Sequence, residues 1–349
     1  MEESAGRLKE AMLYKKLSDT TVQCHLCHRY CVIKNGERGN CFVRKNIDGK
    51  LYSLVYGKAV AWNVEPIEKK PFYHFLPGSV AFSFSTVGCN FHCLNCQNWS
   101  ISQPEGIWGE DLPPEQIVAL AEQYNAQGIA YTYTEPTVFF EYAYDTANLS
   151  YQKNLYNVFV TNGYMTPETI EKMEKIDASR IDLKSMDDKF YVKVCGDAHV
   201  EHVLDSIKRL HKKQHIEIIA LIIPTLNDSD DEIRQMVKWI RDNTNRDVPL
   251  HFIAYYPAHT MRLPPTPKDM LRRAREIAIE EGLNYVYTGN IPGDPGENTY
   301  CPNCGSLVIQ RYGFQIIKMN ITKDAKCQEC GHKLNIIMDL GNYRKMRND

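Results

Sequence analysis

Three cysteines fall within eight residues, Cys89-Asn90-Phe91-His92-Cys93-Leu94-Asn95-Cys96, and this C-x3-C-x2-C stretch constrains the chain more than any other. It follows an alternating run, Ala81-Phe82-Ser83-Phe84-Ser85-Thr86-Val87-Gly88, which reads as a strand ending in a glycine. Thiolates so close together, on a loop leaving a strand, read as a metal or iron–sulfur site. The odd number carries information. A structural tetrahedral site takes four protein ligands, whereas three leave one position for something else. In an iron–sulfur cube, three cysteines leave one iron open. The stretch therefore reads as a cluster that does chemistry, with the rest of the chain as its housing.

The chain has 349 residues, enough for two domains or one large barrel with additions. Hydrophobic residues are 43% and charged residues 24%, which supports an ordinary packed core. The net charge of −2 exerts no global pull toward nucleic acid or membrane. No apolar run approaches the roughly 20 residues that span a bilayer. The opening, Met1-Glu2-Glu3-Ser4, lacks the basic region and apolar core of a secretory signal. The expectation is a cytoplasmic protein with no membrane partner. There, closely spaced C-x2-C pairs read as metal ligands rather than disulfides.

Two further cysteine sets flank the central one. Cys24, Cys27, Cys31 and Cys41, with Gly36 and Gly39 before the last, suit either a structural zinc ion or an auxiliary iron–sulfur cluster. His25 and His28 lie beside them, but four cysteines already suffice. Near the end, Cys301-Pro302-Asn303-Cys304-Gly305 and Cys327-Gln328-Glu329-Cys330-Gly331 bracket alternating apolar residues, the pattern of a zinc ribbon. So short a unit has little core, and its metal would carry much of its folding energy. Cys195 stands alone and reads as a buried thiol, with a radical relay as the other option.

Residues 8–18 read as a short helix, 49–60 as a hairpin strand, and Pro66–Gly78 as an ordered loop whose lysines, Lys69 and Lys70, are solvated. From residue 79, β-rich runs alternate with helical patterns. Strands are expected at 80–87, 128–134, 155–161, 179–183, 215–223, 248–256 and 284–288. Helices are expected near 113–126, 136–150, 166–177, 199–213, 229–244 and 267–282, several opened by a cap or an early proline. Strict alternation implies a parallel sheet covered on both faces. The predicted fold is a partial (β/α)6-type parallel barrel over 77–293. A Cys-rich extension precedes it over 1–76, and a zinc-ribbon-like unit follows over 294–349. In such barrels chemistry sits at the C-terminal strand ends. Those ends are polar here: the cysteine loop, Glu135-Pro136-Thr137, Thr161-Asn162-Gly163, Asp182-Leu183-Lys184, Asn227-Asp228, Tyr255 to His259, and Gly289-Asn290.

On these residues the chain resembles the radical S-adenosylmethionine (SAM) superfamily. The signature is Gly88 through Asn98. The surroundings are similar to the branch of pyruvate formate-lyase activating enzymes, most of all to the radical SAM proteins of the AmmeMemoRadiSam system. The matching stretches include the N-terminal cysteine set, Pro66-Ile67-Glu68-Lys69-Lys70-Pro71, Tyr133-Thr134-Glu135-Pro136-Thr137 and the terminal ribbon. The resemblance implies that Cys89, Cys93 and Cys96 bind three irons of a 4Fe–4S cluster and that SAM chelates the fourth. Reductive cleavage of SAM would give a 5′-deoxyadenosyl radical that takes a hydrogen from a substrate. Phe91 resembles the family aromatic beside the adenine. Glu135 stands where the family often has Gly-Gly-Glu near the SAM ammonium, although the glycines are missing here. Asn162, Asp182 and Lys184 would face the SAM ribose and carboxylate. The implied partners are SAM, an electron donor such as ferredoxin or flavodoxin, and a protein or RNA substrate. The activating-enzyme likeness favours activation of a glycyl radical protein over modification of another protein, tRNA or small molecule. A non-catalytic zinc scaffold or nucleic-acid-binding protein is the competing class. It needs a fourth ligand for the central set, and His92 is its candidate.

Overall fold

The computed structural model describes residues 8–348, so the opening Met1–Ser4 lies outside the described residues. The central sheet has eight strands in chain order: β1 (Ala61–Pro66), β2 (Val80–Ser85), β3 (Gly128–Tyr131), β4 (Tyr156–Thr161), β5 (Ala178–Asp182), β6 (His215–Ile222), β7 (Leu250–Ala254) and β8 (Val286–Gly289). Strands β2 to β8 are parallel, and β1 joins β2 antiparallel. Among the described residues β1 and β8 do not pair with each other, so the barrel is open. Its first strand lies within the stretch expected to be the N-terminal extension, where Trp62 to Glu65 alternate apolar and polar residues.

The helices follow the expected rhythm: α1 (Pro114–Gln123), α2 (Phe140–Gln152), α3 (Pro167–Glu171), α4 (Asp188–Val194), α5 (Val200–Lys213), α6 (Asp230–Asn243) and α7 (Lys268–Glu280). Two of the expected caps form, whereas the helix after Thr266-Pro267 starts with no side-chain cap. Thr166 accepts the Thr169 amide and Ser229 the Glu232 amide. Helix α4 is an addition that sequence reading missed, capped by Asp187. No described helix is long and apolar enough to cross a membrane.

Strand alternation sorts the two faces. Phe82 and Phe84 point to the helices, where Phe84 meets Tyr131 and Tyr142. Ala81, Ala130 and Val158 point into the barrel against Phe72 and Phe75. The register carries this inner face onward from Val160 to Arg180 and Glu217. Burying such apolar side chains contributes about 1.5–3 kcal/mol each.

The Pro66–Gly78 stretch folds beneath the barrel. Lys70, expected to be solvated, is buried: its ammonium donates to Glu65, whose other oxygen takes Lys69. Desolvation pulls Lys70 down to about 8. Residues 8–18 also differ from expectation. They form strands Lys9–Glu10 and Tyr14–Lys16, because their partners are strands of the N-terminal unit and not a core that a helix could face. Two C-terminal elements close the strand starts. Arg344, in the last helix α8 (Leu340–Asn348), binds Asp177 with two bonds of 2.8 and 2.7 Å. Arg311, from the ribbon hairpin, lies 4.1 Å over the Tyr73 ring.

Candidate active site

The cysteine loop leaves the C-terminal end of β2 and is strapped on several sides. Gly88 has φ +99°, and a Cβ there would stand 2.5 Å from Val43 Cγ1 and 2.8 Å from the Cys41 carbonyl. Only glycine lets the N-terminal unit come so close. Arg29 donates to the carbonyls of Asn90, Gly196 and Asp197. The amides of His92 and Leu94 bond the carbonyls of Cys195 and Val194 at the end of α4, at 3.1 and 2.9 Å. The loop is thus a fixed platform.

Each central sulfur has its own surroundings. Cys89 Sγ accepts the Phe91 amide at 3.4 Å, and Cys96 Sγ meets the Ser102 hydroxyl at 3.3 Å. Burial raises the Cys89 thiol, and the Glu135 carboxylate adds to the effect. Cys93 moves the other way: the Cys195 thiol donates to it and, against burial, the Lys184 ammonium also favours its thiolate. Cys195, beside this sulfur, is fully buried.

The structure gathers the expected residues around the loop in two groups. On the Cys89 side, Asn162 Nδ2 donates to Asn90 Oδ1 at 2.7 Å and reaches Cys89 Sγ at 3.9 Å. Glu135 holds that corner. Its Oε1 accepts the Thr137 amide and hydroxyl and the Thr161 hydroxyl, and its Oε2 accepts the Asn162 amide at 2.7 Å. Burial raises its pKa, and those donors oppose the rise. On the Cys93 side, Asp182 takes Lys184 at 2.9 Å and Arg180. Burial would raise Asp182, yet the two cations hold it low. Burial would also lower Lys184, yet Asp182 and the neighbouring thiols hold it high. Phe91 is buried between Tyr164, Tyr191 and the Arg29 guanidinium, with ring centroids 5.1 and 6.3 Å away and the guanidinium at 5.9 Å.

Several site residues carried no sequence signal. Arg180 faces inward only because β5 registers it beside Val160. Tyr133 adopts φ +61°, its carbonyl accepts Asn98 Nδ2 at 2.7 Å, and its hydroxyl donates to Glu65 at 2.9 Å. Ser83 and Ser85 hydroxyls are buried without partners among the described residues.

Which groups can the three cysteine sets hold? Four thiolates around one zinc, at about 2.3 Å each, stand about 3.8 Å apart. The ribbon matches: Cys301–Cys330 and Cys304–Cys327 sulfurs lie 3.7 and 3.8 Å apart. Among the described residues this is the set whose ligand atoms all fall within 4.8 Å of one another. The central three are spread more widely, which suits a polynuclear cluster. His92 does not complete them. Its Nε2 turns to the Asn40 carbonyl and side chain, at 3.2 and 2.9 Å. The donor set therefore fits a cluster with one position left for a non-protein ligand.

Comparison with known proteins agrees with this geometry. Residues 83–240 match the family model described as the Radical SAM superfamily. The Methanocaldococcus jannaschii protein named "Uncharacterized protein MJ0808" is 47% identical, over 95% of this chain and all of that one. Pyruvate formate-lyase 1-activating enzyme of Escherichia coli is 26% identical over 45% of this chain and 67% of its own. Among solved structures, a radical SAM methyltransferase from Sphaerobacter thermophilus shares the fold with a TM-score of 0.50 at 12% identity, covering 83% of this chain and 80% of that one. With its cysteine platform at the mouth of an open parallel barrel, the chain belongs to the radical SAM superfamily.

Proposed function

We propose that Cys89, Cys93 and Cys96 hold a 4Fe–4S cluster whose fourth iron takes SAM, and that the protein draws a hydrogen from a partner, as the activating enzymes of glycyl radical proteins do. The observation that carries this reading is the incomplete donor set: three thiols at the barrel mouth, with His92 engaged elsewhere. The bound cofactors supply one-electron cleavage of the sulfonium and an adenosyl radical. The chain's own residues supply position. Asn162 and Asn90 fix one side of the cluster loop, and Lys184 with Asp182 offers the charged groups for the SAM carboxylate and ribose. Phe91 packs the loop for the adenine. Glu135 Oε2 carries one protein donor and has capacity for an ammonium N–H. Lys70 and Glu65 are buried and paired with each other.

A low-potential donor of ferredoxin or flavodoxin type supplies the electron. Zinc fills the ribbon from near 293 onward, and the N-terminal extension ends near 60, before β1 enters the barrel sheet. The likeness to the Escherichia coli activating enzyme supports a protein glycine as the hydrogen source.

The test is anaerobic reconstitution with iron and sulfide, followed by SAM and dithionite. Methionine and 5′-deoxyadenosine should form in equal amounts. Cys93→Ala should abolish both while leaving the circular dichroism spectrum intact; loss of fold instead would return the central set to a structural role. Partner protein grown with α-deuterated glycine should pass deuterium to 5′-deoxyadenosine. Deuterium arriving only from another substrate would move the activity to modification of that molecule.

A further inference from the structure

The N-terminal quartet, Cys24, Cys27, Cys31 and Cys41, lines a small cavity with an open mouth. Three of the four are buried and Cys31 is half-buried. Each sulfur receives a backbone N–H: Leu26 to Cys24, Arg29 to Cys27, Asn40 to Cys31 and Val43 to Cys41. Four acceptor sulfurs facing one space form a thiolate ligand set, and the question is what it encloses.

Two observations distinguish a cluster from a single ion. The ribbon, in the same molecule, shows what a one-ion thiolate set looks like, with sulfurs 3.7 and 3.8 Å apart. The quartet is not drawn together in that way: among the described residues, the ribbon alone brings a set of ligand atoms within 4.8 Å. A cube places four metals between its thiolates, so its cysteines stand farther apart and surround a space. The second observation concerns unmatched donors. Arg44 and Asn90 are both in the cavity wall and 2% and 0% exposed. Arg44 Nε and Asn90 Nδ2 are buried with no partner among the described residues. An orphaned buried donor costs about 1–3 kcal/mol. The inorganic sulfides of a cluster are acceptors at that wall, and a zinc ion offers none.

We infer that the quartet binds a second 4Fe–4S cluster rather than zinc. Four protein thiolates complete it, so it has no iron free for SAM, and its role is electron transfer. It sits against the catalytic loop: Asn90, which follows Cys89, belongs to both walls, and Val43 and the Cys41 carbonyl touch Gly88. This assignment does not depend on SAM chemistry at the central set.

The test uses full-length protein carrying Cys89→Ala, Cys93→Ala and Cys96→Ala together, reconstituted anaerobically with iron, sulfide and zinc all present. It should retain about four irons and four sulfides per chain. Its reduced electron paramagnetic resonance (EPR) spectrum should not change when SAM is added. One zinc per chain, at the ribbon, should be found. Two zincs and no iron would overturn the inference. A SAM-dependent spectral change in this variant would overturn it too, since that requires an open iron. Should the triple variant misfold, wild type provides the same count: about eight irons and one zinc supports the second cluster, and about four irons and two zincs refutes it.

Discussion

Glu135→Gln separates the clasp that this carboxylate makes from the SAM contact proposed for it. The residue is 2% exposed, and its oxygens accept the amides of Thr137 and Asn162 and the hydroxyls of Thr137 and Thr161. It therefore ties the end of β3 to the end of β4. A glutamine keeps the shape but has one acceptor and one donor end. In either orientation its NH2 faces a backbone N–H, that of Asn162 or that of Thr137; the hydroxyls can reverse, but the amide cannot. One buried backbone donor is left unpaired, at about 1–3 kcal/mol. The loss of charge-assisted bonds adds to that. Relief of a buried charge subtracts, because burial already disfavours the ionised form. The net expectation is a loss of about 2 kcal/mol. Anaerobic urea unfolding of wild type and variant, with an unchanged m-value, measures it. The variant's SAM affinity, by calorimetry on the unreduced protein, should also fall. Unfolding free energy equal to wild type would refute the clasp, whatever happens to SAM.

Three further outcomes are expected. Arg44→Met strands the fully buried Glu141, which the guanidinium grips at 3.1 Å and by a second, shorter bond, and should cost about 3–5 kcal/mol. Adding Glu141→Leu should recover most of it in a double-mutant cycle. Gly88→Ala places a methyl 2.5 Å from Val43 and forces a side chain into a left-handed conformation. Its backbone strain alone costs about 1–3 kcal/mol, and iron analysis should show poorer loading of both the central and N-terminal sets. Cys327→Ser should remove one zinc per chain and open residues 301–334 to limited proteolysis, with iron at the central set unchanged, because so small a core would lean on an ion held by its four cysteines.

The parallel sheet was legible because its strands are short apolar runs separated by capped amphipathic helices, and periodicity reports that directly. The ribbon was legible because its ligand spacing is short and local. What escaped depends on contacts far apart in the chain. Lys70 looks like a surface charge until Glu65, on a strand that pairs with β2, meets it inside the barrel. Arg29 sits between two cysteines of the first set yet grips the loop of the second and the turn after α4. Residues 8–18 have a helix-like pattern, but the N-terminal unit offers them strand edges. Among the site residues, those on the loop itself follow from the motif. The Glu135 bonds, in contrast, emerge only when β3 and β4 lie side by side.

In the proposed function, one iron at the Cys89, Cys93 and Cys96 site is open and taken by SAM. SAM labelled with ¹⁵N at its amino group, added to the reduced, reconstituted protein, tests it by electron–nuclear double resonance. A resolved ¹⁵N hyperfine coupling to the cluster spin, absent in the Cys93→Ala variant, is the predicted result. A reduced cluster whose spectrum shows no coupling to labelled SAM at saturating concentration would contradict an open, SAM-binding iron.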